Sequence, residues 1–139
     1  TGPTNVMDGV KVVNVSSATH VPTFLMPAAA KALSLEEEVQ EMKDAFAERR
    51  VLMHQGLSSL PGFVVPEPEG AFYILCDITG TGLTDIEFAH QALEHAQVQV
   101  IPGSLMKGGD GLIRISYATS IANIHEGVRR LREWLESRN

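Results

Sequence analysis

Apolar and polar positions along this 139-residue chain fall into two patterns, which divide it near residue 33. Up to that point Val6, Val10 and Val13 recur at helical spacing behind Pro3, and acidic residues are scarce. A polar link from Asn14 to Thr23 leads to a second short helix, expected over Thr23 to Leu33, with Pro27 about one turn in. From Ser34 the pattern changes. Ser34 followed by Glu37 reads as a capping box, the hydroxyl accepting from a first-turn amide and the glutamate reaching back. Glu36, Glu37 and Glu38 complement the positive end of the helix dipole. Val39, Met42, Phe46, Met53, Leu57 and Leu60 then recur on one face until Pro61-Gly62 stops the run. At 1.5 Å per residue the predicted helix is about 39 Å long. That length overhangs a small domain and suits a strut between two bodies.

Short strands and helices alternate after it. Phe63 to Val65 is an expected strand, followed by the turn Pro66-Glu67-Pro68-Glu69-Gly70 and an apolar strand from Ala71 to Cys76. Thr84 with Glu87 forms a second capping box, opening a helix whose inner stripe is expected to be Ile86, Ala89, Leu93 and Ala96. Val98 to Ile101 and Leu112 to Tyr117 are the next strands. Ser120 then caps a last helix, with Ile121, Ile124, Val128, Leu131 and Leu135 at three-four spacing. The order β-β-α-β-β-α, with helices on one side of the sheet, predicts an α+β fold.

Charge narrows the partners. Eleven Lys and Arg against 17 Asp and Glu leave a net charge of −6, and no basic run could follow a phosphate backbone. Arg129, Arg130 and Arg132 share their helix with Glu126, Glu133 and Glu136, so nucleic acid is not an expected partner. Cys76 is the single cysteine, which rules out an internal disulfide and a cysteine-based metal site and suits a reducing cytosol. No apolar run approaches the length of a membrane span. The start at Thr1-Gly2-Pro3, without Met, reads as a cut inside a longer protein, or as the product of processing a small one.

Arg114 is the candidate for binding chemistry. Strand alternation puts Leu112, Arg114 and Ser116 on one face, and Ile113, Ile115 and Tyr117 on the other. A guanidinium offers a planar fork of donors that fits a carboxylate through two parallel hydrogen bonds. The alternative is an arginine paired with a local Asp or Glu on an exposed sheet face. Other residues carry less. His20, His54, His90, His95 and His125 are scattered, and His90 and His95 are five apart, too far round a helix to share a metal. The run from Gly103 to Gly109 lacks the Lys-Ser/Thr of a phosphate loop and reads as a flexible hairpin connection. None of Lys11, Lys31, Lys43 and Lys107 stands where a strand would deliver it to a pocket.

Six segments in order then resemble one family. These are Thr1-Gly2-Pro3-Thr4-Asn5-Val6-Met7, Pro22-Thr23 through Ala29-Ala30-Lys31-Ala32-Leu33, Phe46-Ala47-Glu48-Arg49-Arg50, Pro68-Glu69-Gly70-Ala71-Phe72-Tyr73, Val100-Ile101-Pro102-Gly103-Ser104 and Ile113-Arg114-Ile115-Ser116-Tyr117-Ala118. Together they resemble the C-terminal part of fold type I pyridoxal phosphate-dependent aminotransferases of the aspartate aminotransferase group (class I/II). The resemblance covers nearly the whole chain. It departs from the family pattern at Met26-Pro27, where a helix glutamine is usual, and at Met106-Lys107-Gly108, where an aromatic and a Phe-Gly pair are common.

The resemblance implies that residues 1–33 end the large cofactor-binding domain, 34–60 form the interdomain helix and 61–139 form the small C-terminal domain. It implies that Arg114 binds the α-carboxylate of an amino acid or 2-oxo acid. Arg49 and Arg50 would make structural contacts, and Ser16 to Thr19 would lie near a dimer interface. It implies a cytoplasmic homodimer using pyridoxal 5'-phosphate. The lysine that holds the cofactor covalently is expected upstream of Thr1, so the chain alone is expected neither to bind the cofactor tightly nor to transaminate. Two alternatives stay open: a pyridoxal phosphate-dependent lyase or synthase of the same fold, and a free-standing α+β module that binds a small carboxylate or a protein.

Overall fold

The structure, a computed structural model, describes residues 2–18 and 20–138. Two compact units divide between Gln40 and Glu41. In the first, α1 (Thr4–Ser17) starts behind Pro3 as expected, but it takes in the first four residues, Asn14 to Ser17, of the stretch read as a polar link. Ser16 and Ser17 donate their hydroxyls to the carbonyls of Val12 and Val13, one turn back. These local bonds let polar residues stay helical. A 3₁₀ turn over Thr23–Leu25 precedes α2 (Met26–Ala32), so Pro27 falls in the first turn of the α-helix, where its missing N–H costs nothing. No residue of α1 or α2 is buried.

The helix α3 runs over Glu36–Ser58 and is shorter at both ends than the periodicity predicts. The expected box at Ser34 does not form. Ser34 donates its hydroxyl to Lys31 O at 2.8 Å, closing the turn after α2, and the new helix starts only at Glu36. Within the second unit, Met53, Leu57 and Leu60 enter the core and Phe46 packs at its edge. Met42 is exposed, as is Val39 farther up the helix.

Three antiparallel strands, β1 (Tyr73–Asp77), β2 (Ile101–Pro102) and β3 (Leu112–Ser116), form a sheet in the order β1-β3-β2. The α+β class stands, but the first of the four expected strands is reduced to a single bridge and the other three are shorter than expected. At Phe63 to Val65 only Val64 pairs, with Asp77, in a single bridge. Pro66 and Pro68 have no N–H to extend the ladder, and Pro102 limits β2 in the same way. Ala71 cannot join β1 because its φ of 63° is left-handed.

One face of the sheet is buried through Ile74, Cys76, Ile113 and Ile115. Against that core lie α4 (Asp85–Gln91), its π-helical continuation Ala92–Ala96, and α5 (Ile121–Ser137). Both predicted caps here are present. Thr84 and Glu87 make the complete reciprocal box, and Ser120 accepts from the Asn123 N–H. The α4 stripe is rotated from expectation: Phe88, Ala92 and Ala96 are buried, while Ile86 and Leu93 face solvent. Phe88 decides the rotation, meeting Phe63 and Trp134 edge-on at ring separations of 5.6 and 5.1 Å. On α5, Trp134 joins the predicted Ile124, Leu131 and Leu135. At Gly56 of α3 a β-carbon would lie 2.8 Å from Val128 Cγ2, so glycine permits this close helix approach.

Candidate functional site

Arg114 occupies the centre of β3, the middle strand of the sheet. Its register partners are Leu75 on β1 and Ile101 on β2, which share its face. This face is the less covered one. Tyr73, Leu75, Ile101, Leu112 and Arg114 are half-buried, whereas the alternate residues of β1 and β3 are fully buried. Arg114 is thus flanked across the sheet by two apolar residues, a setting in which an arginine stem can pack while its charged head stays toward water.

No carboxylate among the described residues lies within ion-pair distance of that guanidinium. Asp77 shares the face but is engaged elsewhere. Its Oδ1 accepts from the Thr79 hydroxyl at 2.6 Å and from the Thr79 N–H at 2.8 Å. Those two bonds hold its carboxyl below the usual carboxylate range. The contact that Arg114 does make is aromatic: its Cζ stands 5.2 Å from the centroid of the Tyr73 ring.

Tyr73 follows a fixed corner. The Tyr117 hydroxyl donates to Ala71 O at 2.8 Å, and the Tyr117 N–H donates to Phe72 O at 2.9 Å. The Ser116 hydroxyl also donates to Phe72 O, at 3.3 Å. Tyr117 itself is buried on the opposite face and meets Phe46 edge-on. Sequence reading identified Arg114 but not Tyr73. Strand alternation puts Tyr73 on a face with Leu75 and Asp77, but only the β1–β3 register brings it beside Arg114.

The loop after β2 is compact. A β-carbon at Gly103 would meet Gly109 O at 2.0 Å, so the two glycine backbones touch and close the loop. Asp85, the buried first residue of α4, accepts the Ser104 N–H at 2.8 Å and ties this loop down. Ser104, through its hydroxyl and then its backbone N–H, holds the Asp85 carboxyl below the usual range.

The other charged clusters are engaged locally. A groove of about 620 Å³ beside α5 is lined by Arg129, Arg130, Arg138, His95 and Trp134. Within it Arg129 is paired with Glu126 and Glu133, and Arg130 with Glu126. Arg50 donates to Pro68 O at 3.1 Å, and Arg49 lies over the Phe46 ring, so both make structural contacts. Among the described residues no group of three His, Cys, Asp or Glu side chains is placed to hold a metal, and no helix is long and apolar enough to cross a membrane.

Lys11, Lys31, Lys43 and Lys107 are all exposed. None offers the enclosed amine that a covalently held pyridoxal phosphate requires, so these residues do not compose a cofactor site. Of the segment Ser16 to Thr19, Thr19 lies outside the described residues, as does Thr1 of the first family-like segment.

Known proteins share both the sequence and the fold. The family model for aminotransferase class I and II matches residues 2–131. An aspartate aminotransferase of Pyrococcus horikoshii is 38% identical over 138 residues, spanning 96% of this chain and 35% of the relative. A probable aspartate/prephenate aminotransferase of Aquifex aeolicus is 38% identical over 130 residues, spanning 89% of this chain and 33% of its own length. The crystal structure of an aromatic aminotransferase from Pyrococcus horikoshii superposes with a TM-score of 0.88 at 37% identity, covering 99% of this chain and 37% of the other. This chain thus spans about a third of the length of the curated relatives it matches. It belongs to the aminotransferase class I and II family.

Proposed function

We propose that the protein carrying this chain is a pyridoxal phosphate-dependent aminotransferase that moves an amino group between an amino acid and a 2-oxo acid. In it, Arg114 binds the substrate α-carboxylate. The supporting observation is the state of Arg114: a central-strand guanidinium on the less covered sheet face, with no described carboxylate in ion-pair reach. The cofactor supplies the electron sink. This chain's part is to hold the acid end of the substrate. Two charge-assisted bonds contribute roughly 1.5–3 kcal/mol each and orient the reacting carbon.

The domain reading belongs to the same proposal. Residues 1–33 complete a large cofactor-binding domain, 34–60 form the interdomain helix, and 61–139 are the small domain that carries Arg114. The enzyme is a cytoplasmic homodimer, an assembly that light scattering on the full-length protein measures directly.

Arg114→Ala in the full-length protein tests the assignment. It should lower kcat/KM for amino acids and 2-oxo acids roughly a hundred- to ten-thousand-fold, the range set by two lost charged bonds. Amines without a carboxylate should be spared by comparison. Equal losses for both classes would remove Arg114 from the binding role.

A further inference from the structure

We propose that Tyr73 is the positioning residue for Arg114, its ring holding the guanidinium in place while leaving the positive charge uncompensated for an incoming carboxylate. The inference rests on the carboxylate role of Arg114 proposed above.

A carboxylate-binding arginine faces two conflicting demands. Its long side chain must be held still, because ordering it during binding weakens the interaction. An acidic partner would hold it, but that partner would also occupy the fork of donors and compete with the substrate. An aromatic face avoids the conflict. It attracts a cation through its quadrupole, at separations up to about 6 Å, and carries no net charge. The 5.2 Å separation between Arg114 Cζ and the Tyr73 centroid is inside that range. Asp77, the acidic residue of the same face, is meanwhile engaged by Thr79.

Tyr73 can position another group only if it is itself held, and its surroundings do this. Phe72 meets its ring edge-on, 5.6 Å away at 90°. The preceding backbone is pinned from β3 and the residue after it, through Tyr117 to Ala71 O and Phe72 O and through Ser116 to Phe72 O. Ala71 is left-handed, which an alanine adopts only where its surroundings over-determine it. Register then places Tyr73 opposite Ser116, diagonal to Arg114.

The test uses the full-length, cofactor-loaded protein and calorimetric titration with two carboxylates, maleate and 3-phenylpropionate, beside their uncharged amides. Tyr73→Leu keeps apolar bulk and removes the ring. It should weaken carboxylate binding roughly tenfold and leave amide binding unchanged. Tyr73→Phe, which keeps the π face, should restore most of the affinity. With Arg114→Ala already present, Tyr73→Leu should cause no further loss. In turnover, Tyr73→Leu should raise KM for a 2-oxo acid more than it lowers kcat. Equal weakening of carboxylates and amides, no weakening, or a Phe variant as impaired as Leu each overturns the role of Tyr73. If Arg114→Ala retains the carboxylate preference, or the unmodified protein binds neither carboxylate, the Arg114 assignment fails instead.

Discussion

Cys76 and Leu75 are neighbours on β1, yet the pleat sends them to opposite environments. Leu75 shares the half-covered face of Arg114, whereas Cys76 is paired with Ile113 on the fully buried side. Burial pushes the Cys76 thiol up to about 12. Since the thiolate is the reactive form, its population at neutral pH falls roughly a thousandfold below that of an ordinary cysteine. The prediction is that an aromatic disulfide reagent labels the native protein no faster than the chain unfolds, and labels it rapidly in denaturant. Fast labelling of Cys76 without denaturant would contradict its placement. The sequence alone shows a lone cysteine in an apolar run. The environment follows from knowing which face of β1 meets α4 and α5, information that lies in the packing.

Legibility at the scale of elements tracks how local each determinant is. The Thr84–Glu87 box and the Ser120 cap involve residues three apart, and both form. Ser34 has the same spacing to Glu37, but α3 starts at Glu36, so Ser34 lies one residue before the cap position and is held in the turn after α2 by its bond to Lys31 O. Spacing alone predicts Ile86, Ala89, Leu93 and Ala96 as the inner stripe of α4, and long-range contacts of Phe88 with Phe63 and Trp134 rotate it from that expectation. Asp85 is a further non-local case. Its position in the first turn of α4 suits the helix dipole, but its bond to Ser104 spans 19 residues. Asp85→Ala leaves the Ser104 N–H without that acceptor and should destabilise the fold by about 1–3 kcal/mol in urea melts at neutral pH. The sign of its pH dependence follows from the depressed carboxyl. The ionised Asp85 contributes fully above the ordinary value of about 3.9 and loses its contribution as pH falls through the lower folded-state value. The stability gap between Asp85→Ala and the parent should therefore narrow only below that ordinary value. A gap that closes between pH 7 and 5 would exclude Asp85 as its source.

For the molecule as a whole, the buried core runs from Met53 to Leu135, inside the second compact unit. The first unit has a different balance. No residue of α1 or α2 is buried, Val6, Val10 and Val13 are exposed, and α1 has no side-chain cap. Helices of this length without tertiary packing are marginal in water. Residues 41–139 should therefore fold when expressed alone, showing a single cooperative urea transition with a slope of about 1 kcal/mol per molar. The cut falls inside α3, but Glu41 and Asp44 keep negative charge at the new helix start. A peptide of residues 2–40 should show little helix by circular dichroism. Coupled behaviour would look different: a broad, non-cooperative melt of 41–139, sharpened when the first forty residues are restored. That outcome would mean the core needs the first unit in order to close, and the division at Gln40 would then be geometric only. A cooperative melt would establish that the sheet carrying Arg114 forms without the first forty residues.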